Sequence, residues 1–300
     1  MASLAGTGAG FLALLFWAMT IGLSRSLMEK IGTFTAGSLI FLMAGSISCL
    51  RYYLRRKATP GRRRFSPLVV TGCGLLFVAY MVFLYSGIGL AGSKLAVLAV
   101  ALLNYLWPTF IILFSILLLG SRANWLILPG VVVATSGTGL AVTAASGLPA
   151  KELFSAFNPN NPVFFLGLGA GITWGLYSVV TRKFAQVSDS GLPFYLLATG
   201  LLLGLLRYFF PEQSRWSLTA WGELSFMVIF PTLLAYNLWE TGIRRGNIAL
   251  LSTVSYLVPV LSTLASCAYL RVKPAPAIWV ASLLVATGAA LCHFSLKKNC

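Results

Sequence analysis

What this sequence lacks narrows it first. Its 300 residues include one histidine, His293, and six acidic residues: Glu29, Glu152, Asp189, Glu212, Glu223 and Glu240. No HExxH, GxSxG, Walker A or paired-carboxylate motif occurs, and every acidic residue falls in a loop or near the end of an apolar segment. Hydrolytic, phosphoryl-transfer and metalloprotease chemistry need such groups converging at one place, so an enzyme is not expected. The five cysteines (Cys49, Cys73, Cys267, Cys292, Cys300) contain no CxxC pair, and four lie in apolar segments. They read as small core residues, with no metal site, cofactor or disulfide frame. Charge itself is scarce, at 9% of residues, where a soluble domain carries about 25%.

In place of charge the chain has long apolar runs, with 58% hydrophobic residues. A membrane-crossing helix needs roughly 17–25 of them in a row. Ten segments qualify: Gly8–Ser24, Thr33–Leu54, Pro67–Gly87, Ser93–Leu118, Asn124–Ala144, Pro162–Thr181, Leu192–Phe210, Ala220–Glu240, Asn247–Leu270 and Ala275–Leu296. The expected class is therefore an all-α, multi-pass membrane protein in the lipid bilayer. Gly8–Ser24 lacks a basic leader and a small-residue cleavage site, so it reads as a retained first span. Connections are short, and only Lys151–Asn161 is long enough to link two halves, 1–150 and 151–300.

A net charge of +16 raises the question of nucleic acid, which the distribution answers. With a cytoplasmic N-terminus, fourteen Lys and Arg fall inside and eight outside, seven of the fourteen between Arg51 and Arg64. That is the positive-inside bias of membrane topology, with both termini cytoplasmic and no nucleic-acid partner.

The chain also repeats itself. Phe16-Trp17-Ala18-Met19 through Ser24-Arg25 aligns with Thr173-Trp174-Gly175-Leu176 through Thr181-Arg182 at an offset of 157. Ser86-Gly87-Ile88 matches Thr241-Gly242-Ile243. Asn104-Tyr105-Leu106-Trp107-Pro108 matches Ser255-Tyr256-Leu257-Val258-Pro259 at 151, as Ala134-Thr135-Ser136-Gly137 matches Val285-Ala286-Thr287-Gly288. Five spans recur as five more; because five is odd, the second copy enters the membrane inverted. Pro108 and Pro259 break the fourth and ninth spans at matching positions, each freeing a carbonyl that hydrocarbon cannot solvate. Paired broken helices in two inverted halves point to the substrate site of a secondary transporter.

Polar groups at mid-span are uncharged or aromatic: Trp17, Tyr80, Asn104, Trp107, Trp174, Tyr177, Tyr236, Asn237, Ser255 and Tyr256. Trp and Tyr often form interfacial belts, which suits Trp125, Trp216, Trp221 and Trp279 near span ends. Trp17, Trp107 and Trp174 lie deeper. Hydroxyls also glue helices together, and Gly167-x-x-x-Gly171-x-x-x-Gly175 and Gly200-x-x-x-Gly204 permit close packing within one chain. Lys94 reads as a snorkelling span-end residue. Glu240, four residues before Arg244, reads as an exposed helix-end ion pair. With no titratable group at mid-span, a facilitator that moves a neutral zwitterion down its gradient is expected, without proton coupling.

Ten spans, a five-plus-five repeat, Trp17 echoed by Trp174, and the Trp107-Pro108 and Val258-Pro259 breaks resemble the drug/metabolite transporter superfamily. Within it the chain is similar to the EamA-type branch, and there to bacterial aromatic amino acid exporters. The resemblance implies a ten-helix basket in the bacterial inner membrane, with a central cavity lined by spans 1, 3, 4, 6, 8 and 9. It implies export of amino acids, and a monomer is expected. The first-span carboxylate of small multidrug transporters is absent, since the region reads Leu14-Leu15-Phe16-Trp17-Ala18. So are the deep Lys and Arg that phosphate-sugar antiporters need. An exporter of neutral or cationic aromatic drugs and a non-transporting assembly factor are the alternatives.

Overall fold

Backbone that crosses lipid must satisfy its hydrogen bonds internally, and this chain does so as helix. The computed structural model describes residues 3–58, 66–146, 162–270 and 273–297. The helices are α1 (Leu4–Ile31), α2 (Thr33–Ala58), α3 (Pro67–Gly89), α4 (Lys94–Asn104), α5 (Trp107–Leu119), α6 (Ile127–Ser146), α7 (Pro162–Lys183) and α8 (Leu192–Phe209). After these come α9 (Leu218–Met227), a π-helical stretch (Val228–Leu234), α10 (Ala235–Arg245), α11 (Ile248–Ser255), α12 (Val258–Leu270) and α13 (Pro276–Ser295). Eight stretches are long and apolar enough to cross a membrane, and two bent pairs raise this to as many as ten. The spans are numbered 1–10 on that count, α4–α5 forming span 4, α9–α10 span 8 and α11–α12 span 9. The expected linker Lys151–Asn161 and residues 59–65, the second part of the arginine-rich segment, lie outside the described residues.

Two details depart from the sequence reading. Residues Arg122–Ala123 pair antiparallel with Leu296–Lys297, a two-residue β contact that ties the α5–α6 turn to the C-terminal segment. Span 8 continues to Arg245 and is not a plain α-helix. Pro231 has no N–H to give the Met227 carbonyl, and the Thr232 hydroxyl takes that carbonyl instead at 2.8 Å. The helix widens to π geometry around this defect, as such local bulges do.

The breaks in spans 4 and 9 fall where the prolines require. α4 ends at Asn104 and α5 starts at Trp107, with Pro108 in its first turn. α11 ends at Ser255 and α12 starts at Val258, at a 49° bend. α1 also bends, by 50° between Thr20 and Leu23. There Thr20 turns its hydroxyl back on the Trp17 carbonyl at 3.1 Å, a contact that often bends helices.

Packing follows a regular scheme. α2 lies along α8 and α6 along α13; α1 packs on α10 and α12, while α7 packs on α3 and on α4–α5. Glycine makes the tightest crossings possible. A Cβ on Gly45 would strike the backbone of Leu197, and one on Gly200 the backbone of Leu42. In the other pair, a Cβ on Gly137 would meet Val285 and one on Gly288 would meet Ala134. The glycines of α7 are used inside the chain too, Gly167 against Val100, Gly171 against the Leu103 and Asn104 carbonyls, and Gly175 against Phe110. Large apolar side chains such as Leu12, Met19, Leu75, Leu117, Val132, Leu201 and Leu283 stay exposed on helix exteriors, the surface a bilayer covers.

Candidate substrate site

The core gathers around one side chain. Trp174 of α7 is 2% exposed, and seven aromatic rings surround it. Centroid distances are 4.6 Å to Tyr80, 5.3 Å to Tyr177, 5.6 Å to Trp17, 5.9 Å to Tyr236, 6.1 Å to Trp239, 6.2 Å to Phe77 and 6.5 Å to Trp107. All lie in the range where ring quadrupoles attract. Spans 1, 3, 4, 6 and 8 each supply at least one ring. Trp174, Trp239 and Tyr177 are fully enclosed, whereas Trp17, Tyr80 and Tyr236 stay half-buried. Trp17 is held at its polar edge, its Nε1 donating to the Pro231 carbonyl at 3.0 Å inside the π stretch. The widened turn of span 8 therefore presents a carbonyl to the matched tryptophan of span 1.

Two contributors were not among the sequence candidates. Trp239 stacks on Trp174 and stands edge-on to Trp107 at 5.5 Å, and its Nε1 donates to Ser178 Oγ at 3.3 Å. It lies three residues past Tyr236 on the same helical stripe, a spacing that could have found it. Phe77, wholly buried, touches Trp174, Tyr177, Tyr195 and Tyr236. No sequence feature separates it from ordinary core phenylalanines.

Asn104 stands at the α4–α5 break beside this cluster. Its side-chain Oδ1 is buried without a hydrogen-bond partner. Its main-chain carbonyl is the one that Pro108, lacking N–H, leaves without a helical donor, and it faces Gly171. A buried acceptor such as Oδ1 costs about 1–3 kcal/mol when unmet. Ser255, its counterpart at the span 9 break, is buried with its hydroxyl on the Leu251 carbonyl at 2.6 Å.

The remaining candidates lie elsewhere. Tyr256 packs in a second core formed by spans 4, 5, 9 and 10, its hydroxyl 2.6 Å from that of Thr109. Asn237 is exposed on the bundle exterior, its Nδ2 donating to the Leu233 carbonyl at 2.7 Å. Neither joins the Trp174 cluster. Pro108 and Pro259 position the breaks and are buried.

Charged groups keep to the two ends. At one end Glu240 pairs with Arg244 at 2.8 Å. The pair is not an exposed helix-end contact, because Glu240 and Arg244 side chains are only 5% and 14% exposed. The α7–α8 turn covers them, the Ser190 hydroxyl donating to Glu240 and Arg244 donating to the Ser188 carbonyl. At the opposite end Glu212 accepts from the Phe34 and Thr35 amides at the start of α2, and Glu223 accepts from Ser26 and Lys30. Among the described residues, no group of three His, Cys, Asp or Glu is placed to hold a metal ion.

The sequence profile of the EamA-like transporter family matches residues 4–143 and 161–293. The chain belongs to the EamA-like transporter family. EamA-type relatives align along its whole length. The aromatic amino acid exporter YddG of Salmonella typhimurium is 28% identical over 300 residues, 100% of both chains. That of Escherichia coli K12 is 27% identical over 97% of each chain, and that of Ancylobacter novellus 31% over 96% of this chain and 97% of its own. A crystal structure 29% identical covers 98% of both chains with a TM-score of 0.78. This EamA protein is a membrane transporter and not an enzyme.

Proposed function

We propose that the chain exports aromatic and other apolar amino acids across the bacterial cytoplasmic membrane by alternating access, with the Trp174 cluster and Asn104 as the substrate site. The observation that carries this reading is a ring of uncharged aromatic walls beside one buried, unmet amide oxygen. Asn104 Oδ1 and the carbonyl released by Pro108 would accept from the substrate ammonium. The half-buried faces of Trp17, Tyr80 and Tyr236 would take its apolar side chain. A deep Lys or Arg, which a phosphorylated substrate would need, is absent from the described cluster. The three relatives carrying the exporter name support the substrate class.

Alternating access rests on a further part of the proposal, an inverted repeat of spans 1–5 and 6–10. The packing supports it. Exchanging i for i+5 turns the 1–8 and 1–9 contacts into the 6–3 and 6–4 contacts, all of which occur. It also turns Gly45 on Leu197 into Gly200 on Leu42, and Gly137 on Val285 into Gly288 on Ala134. Reciprocal contacts of this kind are what a pseudo-two-fold axis would produce, and the substrate site would lie near that axis at the midplane. The end carrying Arg182, Arg244 and Arg245 would be cytoplasmic, as the arginine excess requires. The two halves, 1–150 and 151–300, would work within one protomer, since the α7 and α8 glycines are already spent on internal crossings.

Counterflow in proteoliposomes tests the reading. Preloaded tryptophan or phenylalanine should drive uptake of labelled tryptophan with no pH, sodium or voltage gradient, and glutamate should not. Exchange of aromatic cations but of no amino acid would move the protein to the drug-export reading. No exchange of any solute would favour the assembly-factor reading.

A further inference from the structure

The two copies of the repeat differ in shape at one matched place. α7 runs unbent to its end and sets Arg182 on α10, where Nη1 donates to the Ile243 carbonyl at 3.1 Å and the Arg244 carbonyl at 2.6 Å. These are last-turn carbonyls with no helical donor of their own, and a guanidinium meets them well. Arg25 occupies the matching position in α1, 157 residues earlier. It is 69% exposed and, among the described residues, pairs with Glu29 of its own helix at 2.8 Å. The 50° bend after Thr20 has carried this part of α1 away. Ser26 and Lys30 fix it to Glu223 of α9, at 2.8 and 2.7 Å. The sequence match that pairs Thr241-Gly242-Ile243 with Ser86-Gly87-Ile88 makes the α3 terminus the counterpart of Arg182's acceptor. α7 packs on α10, and α1 has no comparable packing on α3.

We propose that Arg25 and Arg182 are alternate latches of one gate. Arg182 holds its mouth shut in the conformation described here. When the transporter turns over, Arg182 lets go, α1 straightens, and Arg25 leaves Glu29 for the Ile88 carbonyl and the last turn of α3. In this conformation the Ile88 carbonyl, at the end of α3, is met by the capping amides of Leu90 and, at a long 3.4 Å, Ala91. The inference rests on the inverted-repeat reading but not on the identity of the substrate. An ion pair of the Arg25–Glu29 kind stabilises a helix by a few tenths of a kcal/mol, so releasing it is a small barrier.

Spin-label distances and counterflow in the same reconstituted variants test the latch. Labels at Leu90 and Trp216 report the Arg25 mouth, and labels at Lys183 and Arg245 report the Arg182 mouth, in a background without native cysteines. Arg182→Ala should shift the distances toward an open Arg182 mouth. Arg25→Ala should deplete the state with the Arg25 mouth closed and slow counterflow roughly tenfold, the effect of one charged hydrogen bond. Glu29→Gln breaks the in-helix pair but spares the latch, so it should keep wild-type counterflow or exceed it. Wild-type distances in Arg25→Ala, or the same defect in Glu29→Gln, would overturn the proposal. The distances are read without substrate. A protein that changes its mouths as described but moves no amino acid would leave the latch standing and remove the export reading alone.

Discussion

The Glu240–Arg244 pair separates a structural charge from a coupling charge. Glu240→Gln leaves the Arg244 guanidinium, 14% exposed, with the Ser188 carbonyl but no counter-charge. Breaking a buried ion pair from one side costs about 3–5 kcal/mol, whereas replacing both partners by neutral groups of similar volume is often close to neutral. Against a total stability of about 5–15 kcal/mol that single loss is large. The expected order in denaturant unfolding of the purified protein follows. Glu240→Gln and Arg244→Met each fall well below the wild type, and the double variant recovers much of the loss, a non-additivity expected of groups in contact. Gradient-free counterflow should persist in the folded fraction of every variant, because Glu240 would be an anchor for the α7–α8 turn and not a proton carrier. The reasoning is refuted if an imposed proton gradient drives uphill tryptophan accumulation in the wild type and Glu240→Gln loses it while unfolding like the wild type.

Other predictions address the cluster, the orphan amide, the crossings and the orientation. Trp174→Ala, which removes the ring that touches seven others, should reduce counterflow more than Trp17→Phe, which keeps a ring but forfeits the bond to Pro231; equal rates would discount the cluster. Asn104→Leu should weaken tryptophan binding by about 10- to 100-fold, the worth of a hydrogen bond to a charged group, as measured by titration calorimetry in detergent, while expression stays normal. Gly45→Leu should cost more stability than Gly72→Leu, because the first meets the Leu197 backbone and the second meets open space; unfolding midpoints decide. A cysteine placed at Thr59, in the arginine-rich loop, should resist a membrane-impermeant reagent in whole cells, and ready labelling would reverse the orientation.

How much of this protein the sequence held depends on the range of the cause. Lipid cannot bond to a backbone, so long apolar runs had to be helices, and their rough limits were legible from hydropathy. Proline lacks an N–H wherever it sits, so the breaks at Pro108 and Pro259 were legible too, as was the match of Trp17 with Trp174. Pro231 shows where local reading stopped. The same chemistry applied, but the outcome, a π turn whose carbonyl holds the Trp17 indole, needed a partner 214 residues away. Trp239 falls inside the expected span 8, but its place in the cluster comes from contacts with Trp174, Trp107 and Ser178 on other spans. Asn237 and Tyr236 are neighbours in sequence, yet a helix turns by about 100° per residue, and only the packing of α10 on α1 decided which one faced inward. The burial of Glu240 likewise depended on the α7–α8 turn folding over it. Gly200 was legible as a packing residue through Gly200-x-x-x-Gly204, but its partner Leu42 and the reciprocal crossing of Gly45 with Leu197 were not, because a Leu-x-x-Gly pair is common in any apolar helix. Composition determined the solvent and the helices by itself; which faces meet was decided by tertiary contact, since hydrocarbon is indifferent to which apolar face it covers and backbone approach at a glycine is not.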